Sequence, residues 1–222
     1  LESENTYLRD WRIKGEHLTF EKKLAAGAEG EVWRGTLLGR SEKVAIKRAL
    51  LNPATMDEDH KKPVWDEREV CFMMSIQHPR LVTFLGAGTI ADEASRFHEV
   101  TFMVQEFMTG GSIDTQLWHK PVSSLSDAQR LQWASDISEG MAHIHQKGFA
   151  HRDLKSPNVL YDETSMRAKV TDFGMTRDMK GDADEDGFMD DTFLEAPEGK
   201  QGQRFMTATC GTPEWMAPEL AQ

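Results

Sequence analysis

The sequence predicts an α+β fold, with most strands in the first half of the chain and the long helix in the second, and two patterns carry that expectation. Lys43-Val44-Ala45-Ile46-Lys47 alternates polar and apolar side chains, as a half-buried strand does. Farther along, Leu131, Ala134, Ile137, Met141 and Ile144 recur at helical spacing over one long stretch. With 222 residues, the chain is long enough for one domain of two lobes with a sizeable core.

In chain order, Leu18 to Ala49 should form three strands, the first two joined through a glycine-containing loop. Pro63 to Gln77 reads as a helix. Pro63 stands in its first turn, where a missing N–H is tolerated; Val70, Met73, Met74 and Ile76 supply its apolar side; and His78-Pro79 stops it. Leu81 to Gly88 and Val100 to Glu106 supply two more strands around a polar insert near Ala91 to Glu99, which brings the strand count to five. Gly110-Gly111 lets the chain turn into a short helix near Ile113 to Trp118. Ser126 and Gln129 predict a capping box that opens the long helix, and Gly148 closes it.

Chemistry is concentrated in His151-Arg152-Asp153-Leu154-Lys155-Ser156-Pro157-Asn158, followed by Asp172-Phe173-Gly174. Phosphoryl transfer asks for metal-held phosphates, a cation and a carboxylate near the incoming hydroxyl. Asp153 is the candidate base, and Lys155 can stabilise the transferring group. Asn158 and Asp172 are hard oxygen donors suited to Mg2+. An isolated Asp-Phe-Gly is ordinarily a turn; the ordered combination leaves little room for coincidence. His143 and His145 lie two positions apart on a helix and do not face one way, so one should be half buried and the other solvated. His151 is expected to pack beneath Phe173.

Together with Leu24-Ala25-Ala26-Gly27-Ala28-Glu29-Gly30-Glu31-Val32, Val44-Ala45-Ile46-Lys47 and Ala217-Pro218-Glu219, these motifs resemble the protein kinase family from about residue 18 to 222. Trp11-Arg12-Ile13, Phe84-Leu85-Gly86-Ala87, Leu154-Lys155-Ser156-Pro157-Asn158 and Gly211-Thr212-Pro213-Glu214-Trp215-Met216 look most like the tyrosine-kinase-like, Raf/MLK-type branch of Ser/Thr kinases. The resemblance implies a two-lobed protein-kinase-like fold. An N-terminal extension (1–17) precedes a five-stranded antiparallel N-lobe (18–106) and a mainly helical C-lobe (107–222). That second lobe should be incomplete, because kinase domains continue for roughly 80 residues past Ala-Pro-Glu. The expectation is a fragment or truncated gene model of a longer kinase, set against a minimal domain that folds alone.

Residue roles follow from the same resemblance. Lys47 would hold the α- and β-phosphates with Glu69 as its partner; Glu67, two positions away, would be a solvated helix face. Gly27 and Gly30 occupy the second and third glycine places of the phosphate lid, while Ala25 replaces the first and Glu29 the aromatic tip. The ATP site would be lined by Leu24, Gly27, Gly30, Val32, Ala45, Lys47 and Leu160. Gln105 stands at the gatekeeper place, and Glu106 and Met108 offer hinge backbone groups to adenine. Asn158 and Asp172 would hold Mg2+, or Mn2+ in its place. Lys155 and Thr212 favour Ser/Thr specificity, Thr212 bonding both the catalytic aspartate and the lysine.

Gly181 to Gly199 lengthens the activation segment with Asp182, Asp184, Glu185, Asp186, Asp190, Asp191, Glu195 and Glu198. The plain reading is a solvated loop. A sharper one has these acids competing for Arg152 until an upstream kinase phosphorylates Thr207 or Thr209. A net charge of −11 argues against nucleic-acid or membrane affinity, and no apolar run approaches the ~20 residues that span a bilayer. Cys71 and Cys210 form no metal-ligand pattern, so reduced thiols in the cytoplasm are expected. The functional expectation is an ATP-dependent protein Ser/Thr kinase with protein substrates, set against two alternatives. One is a pseudokinase or scaffold fragment that binds nucleotide weakly without turnover, motivated by Ala25, Glu29 and the missing helices. The other, a small-molecule phosphotransferase, fits poorly with Gly211 to Glu219, a segment resembling a platform for peptide substrates.

Overall fold

In the computed structural model the described residues are 11–27, 30–49, 67–91, 99–118, 125–178 and 211–218. Five antiparallel strands form the first lobe: β1 (Leu18–Gly27), β2 (Gly30–Leu37), β3 (Val44–Ala49), β4 (Phe84–Ala91) and β5 (Glu99–Glu106), in the order β1-β2-β3-β5-β4. The alternation around Val44 does what a half-buried strand requires, because Val44 and Ile46 are buried together with Leu18, Phe102 and Val104. β4 begins later than the sequence suggested. Leu81 and Val82 are drawn off to the second lobe instead, Leu81 by a parallel bridge to Val170 and Val82 by its N–H to the Val170 carbonyl at 2.9 Å.

Residues 11–13, expected to belong to an extension ahead of the sheet, run alongside β4. Ile13 N–H donates to the Ala87 carbonyl at 2.8 Å and Ala87 N–H to the Trp11 carbonyl at 2.9 Å. Gly86 and Gly88 permit that approach, since a Cβ at either place would collide with the Trp11 or Ile13 carbonyl.

Helix α1 (Glu67–Ser75) buries Val70 and Met73, and Ile76 follows directly after it. These side chains join Leu81, Phe84, Ala87 and Met103 to Ile144, Val170 and Phe173, so one apolar cluster connects the sheet, the helix and the second lobe. Trp11 packs on its edge.

The second lobe contains α2 (Ile113–Trp118), α3 (Asp127–Gln146) and two small antiparallel ladders. β6 (Phe149–Ala150) pairs with β9 (Arg177–Asp178), and β7 (Val159–Asp162) pairs with β8 (Arg167–Val170). Ser126 caps α3, its hydroxyl accepting from Gln129 N–H at 3.2 Å. The box is only half made, because the Gln129 side chain donates to the Met166 carbonyl at 3.0 Å and so ties the helix to the β7–β8 turn.

The expected face of α3 points inward along its later turns, where Ile144 is buried and Ile137 and Met141 pack against the core, but not at its start. Trp133, Asp136, Gly140 and Ile144 are buried, whereas Leu131 is 71% exposed and Ala134 lies outside as well. The cause is polar. Asp136 is fully buried and accepts from Arg167 Nε at 3.0 and 3.1 Å, Gln132 Nε2 at 3.1 Å and Ala168 N–H at 2.9 Å, with Arg80 Nε 3.1 Å away. An apolar repeat gives no weight to an aspartate, yet this one turns its side of the helix inward. Gly140 completes that face by admitting the Arg80 backbone. No helix among the described residues is long and apolar enough to cross a membrane.

Candidate active site

The loop after β6 is held from below. His151 is buried, and its Nε2 lies 3.0 Å from the Thr171 carbonyl while its Nδ1 accepts from Asp153 N–H at 3.3 Å. That pairing places the proton on Nε2. Burial lowers the His151 pKa, and the Thr171 carbonyl with the charges of Asp172 and Asp153 only partly opposes it, so the ring stays neutral. Its edge meets Phe173 at 5.4 Å, which locks the Asp153 loop to the Asp172 loop. Arg152 and Asp172 adopt positive φ, 68° and 64°, a conformation non-glycine residues rarely take; Met166 in the β7–β8 turn, at 57°, shares it.

Side chains from separate parts of the chain converge on Asp153. Thr212 Oγ1 donates to Asp153 Oδ1 at 2.7 Å, Lys155 Nζ lies 2.7 Å from Oδ2, and Asn158 Nδ2 donates to Oδ2 at 3.0 Å and to the Asp153 carbonyl at 2.9 Å. Lys155 also donates to Thr212 Oγ1 at 2.7 Å, closing a ring of three side chains. Gly211, at φ 118°, lets the segment lie against the Arg152 carbonyl, which a Cβ would meet at 2.8 Å. Burial works against charge on Asp153, but the hydrogen bonds from Lys155 and Thr212, the Lys155 charge and Asn158 outweigh it and hold the pKa below the ordinary aspartate value. The group is therefore an ionised acceptor. Its side chain keeps 10% exposure, and Oδ1 carries one donor, so a lone pair remains for an incoming hydroxyl.

On the nucleotide side, Lys47 Nζ lies 3.5 Å from Asp172 Oδ1, an ion pair at the long limit of hydrogen bonding. Glu69 is on α1, but its side chain lies outside the described residues, as do Ala28 and Glu29 at the lid tip. Gly27 and Gly30 face each other across the β1–β2 hairpin, Ala25 pairs with Val32, and Val32 lies opposite Lys47 on β3. Leu24 is 43% exposed, Val32, Ala45 and Leu160 are half-buried, and Met108 is buried. Gln105 donates to Met103 Sδ at 3.7 Å.

Of the two expected hinge residues, Glu106 is partly committed. Its N–H donates to the Thr83 carbonyl at 3.0 Å. Its carboxylate accepts from Thr83 N–H at 2.6 Å and from Lys169 Nζ at 2.7 and 2.8 Å, fixing the hinge to β8. Sequence reading missed that ion pair, and also Ser156 Oγ donating to Asp114 Oδ1 at 2.6 Å. Neither pair has a spacing signal, since partners 63 and 42 positions apart meet only through the fold.

The donor set fits a hard divalent cation. The Asn158 amide nitrogen is occupied by Asp153, which leaves its oxygen, and Asp172 adds carboxylate oxygens. Two protein oxygens suit Mg2+, which takes its other ligands from phosphates and water. Histidines 143, 145 and 151 have separate settings: His143 stacks on His78 at 4.8 Å, His145 is exposed and His151 meets Phe173. Arg152 is half-buried beside the site, while Thr207, Thr209, the acidic insert 181–199 and Glu219 lie outside the described residues.

Residues 18–222 match the family described as protein tyrosine and serine/threonine kinase. The chain is 35% identical to serine/threonine-protein kinase STY46 of Arabidopsis thaliana over 96% of its own length and 31% of that protein. It is 35% identical to STY17 of the same plant, again over 96% and 31%, and 34% identical to CTR1, over 91% and 21%. The chain thus spans less than a third of each of these relatives. On these grounds it belongs to the protein tyrosine and serine/threonine kinase family.

Proposed function

We propose that the chain carries the catalytic machinery of a protein serine/threonine kinase, moving the γ-phosphoryl group of ATP to Ser and Thr hydroxyls of protein substrates. The observation that carries this reading is the closed ring of Asp153, Lys155 and Thr212, with Asn158 bound to the same carboxylate. Mg2+ bound with the nucleotide would supply charge neutralisation at the phosphates. Asn158 and Asp172 are the residues to hold it. Asp153, kept ionised, accepts the hydrogen of the incoming hydroxyl and aims its oxygen along the transfer line. Lys155 stands next to that carboxylate and offsets charge on the transferring group, and Lys47 anchors the phosphates from β3. Thr212 fixes the geometry of both Asp153 and Lys155, which supports the assignment to Ser/Thr rather than Tyr.

The same reading puts the N-lobe at 18–106 and the C-lobe from 107, with Leu24, Gly27, Gly30, Val32, Ala45 and Leu160 around ATP and Glu106 and Met108 at adenine. A cytoplasmic signalling role, with an upstream kinase acting at Thr207 or Thr209 and Arg152 receiving the phosphate, completes the proposal. Incubation with Mg-ATP and a generic protein substrate tests it: phosphoprotein should form, and Asp153→Ala should cost ~100-fold or more. A preparation that binds ATP but yields no phosphoprotein would favour the scaffold alternative.

A further inference from the structure

We propose that Asp114 is a positioning residue for the catalytic turn, acting through Ser156; the inference rests on the proposed roles of Asp153, Lys155 and Asn158. Ser156 is buried, at 6% exposure, and its hydroxyl donates to Asp114 Oδ1 at 2.6 Å, the short end of the O–H···O range. Ser156 opens the one-turn 3-10 helix Ser156–Asn158, closed by Asn158 N–H donating to the Lys155 carbonyl at 2.9 Å. Pro157 fixes the next φ, so the turn moves as a unit. The anchored hydroxyl therefore lies directly after Lys155 and two positions before Asn158, and both of those side chains grip Asp153. A rotation of the turn would displace the ammonium and the metal-side amide together.

Asp114 itself is held by the segment that leaves the hinge. Gly110 N–H donates to the Tyr161 carbonyl at 2.8 Å, Tyr161 N–H donates to the Gly111 carbonyl at 2.8 Å, and Ser112 bridges Leu160. The hinge exit, the start of α2 and β7 consequently form one hydrogen-bonded piece, and the Asp114–Ser156 bond carries its position to the turn bearing Asn158. A small displacement at such a supporting residue changes metal affinity and rate more than it changes the fold.

The test is an electron paramagnetic resonance titration of Mn2+ into the chain with the non-hydrolysable nucleotide AMP-PNP, paired with steady-state phosphotransfer. Asp114→Ala and Ser156→Ala should each weaken Mn2+ binding and lower kcat by about tenfold, with KM for ATP nearly unchanged. Asp114→Asn keeps an acceptor oxygen and should recover most of both losses. The double variant Asp114→Ala with Ser156→Ala should be no worse than either single one, because both remove the same bond. Unchanged Mn2+ affinity in the single variants, additive losses, or an Asp114→Asn chain as impaired as Asp114→Ala would overturn the proposal. If the unsubstituted chain binds Mn2+ with AMP-PNP yet transfers no phosphoryl group, the catalytic reading fails while the Mn2+ series still decides the role of Asp114. A chain that binds no Mn2+ at all overturns both.

Discussion

Asp136 and Asp153 are aspartates in the same lobe, each surrounded by donors and cations, yet they have opposite settings. Asp136 is sealed at 0% exposure among Arg167, Arg80, Gln132 and the Ala168 N–H, and every one of these partners belongs to α3, β8 or the approach to β4. Asp153 keeps an open edge, and its partners Lys155, Asn158 and Thr212 all lie at the candidate site. A rich set of hydrogen bonds therefore does not identify a catalytic carboxylate. Access does: a closed ring of donors with one free lone pair can receive a substrate hydroxyl, whereas a fully enclosed carboxylate can only hold the fold together.

Substitutions should separate the two. Asp136→Ala leaves Arg167 and Arg80 without their common acceptor and should cost about 3–5 kcal/mol of stability, read by denaturant unfolding. A loss below ~1 kcal/mol would mean that water replaces the carboxylate and that the hub is not structural. Asp153→Asn should lower phosphotransfer ~100-fold or more while moving the unfolding midpoint little. If stability fell as far as in Asp136→Ala, the contrast between the two centres would disappear. Thr212→Val should reduce kcat about tenfold, the equivalent of one hydrogen bond to a charged group at ~1.4 kcal/mol. Thr212→Ser should restore most of it.

The smallest effect concerns pH. Burial lowers the pKa of both His151 and His143, the latter also through His78 and Lys147. As pH falls through about 6.5, the unfolded chain therefore binds protons that the folded chain does not, and stability declines toward acid. It levels off only below the folded-state values. Each histidine contributes at most about 1.4 kcal/mol per pH unit to that slope. His143→Gln should make it shallower in urea unfolding between neutral and mildly acidic pH; an unchanged slope would mean that His143 titrates alike in the folded and unfolded chain.

How far the sequence reached follows the same division. The strands and the site motifs were legible because alternation and fixed short spacings are local signals, as at Val44 to Lys47 and from Asp153 to Asn158. The Thr212 contact with Asp153 and Lys155 came through family resemblance, and the geometry matches it at 2.7 Å on each bond. The first turns of α3 were misread because the centre of its buried face is charged, whereas Ile137, Met141 and Ile144 pack inward as expected. Leu131 looked like core by hydropathy, but Asp136 and its arginine partners set the helix phase. Asp114–Ser156 and Glu106–Lys169 were invisible because polar partners far apart in sequence leave no periodicity. Pairing of residues 11–13 with β4 was missed for a related reason, although Gly86 and Gly88 marked where a second backbone could approach.

Phosphoamino-acid analysis of a protein substrate incubated with the chain and γ-phosphate-labelled Mg-ATP tests the central claim most directly. Label is expected on serine and threonine, absent from tyrosine, and lost in the Asp153→Asn variant. Label on tyrosine, or label that persists undiminished in Asp153→Asn, would contradict the assignment of this site.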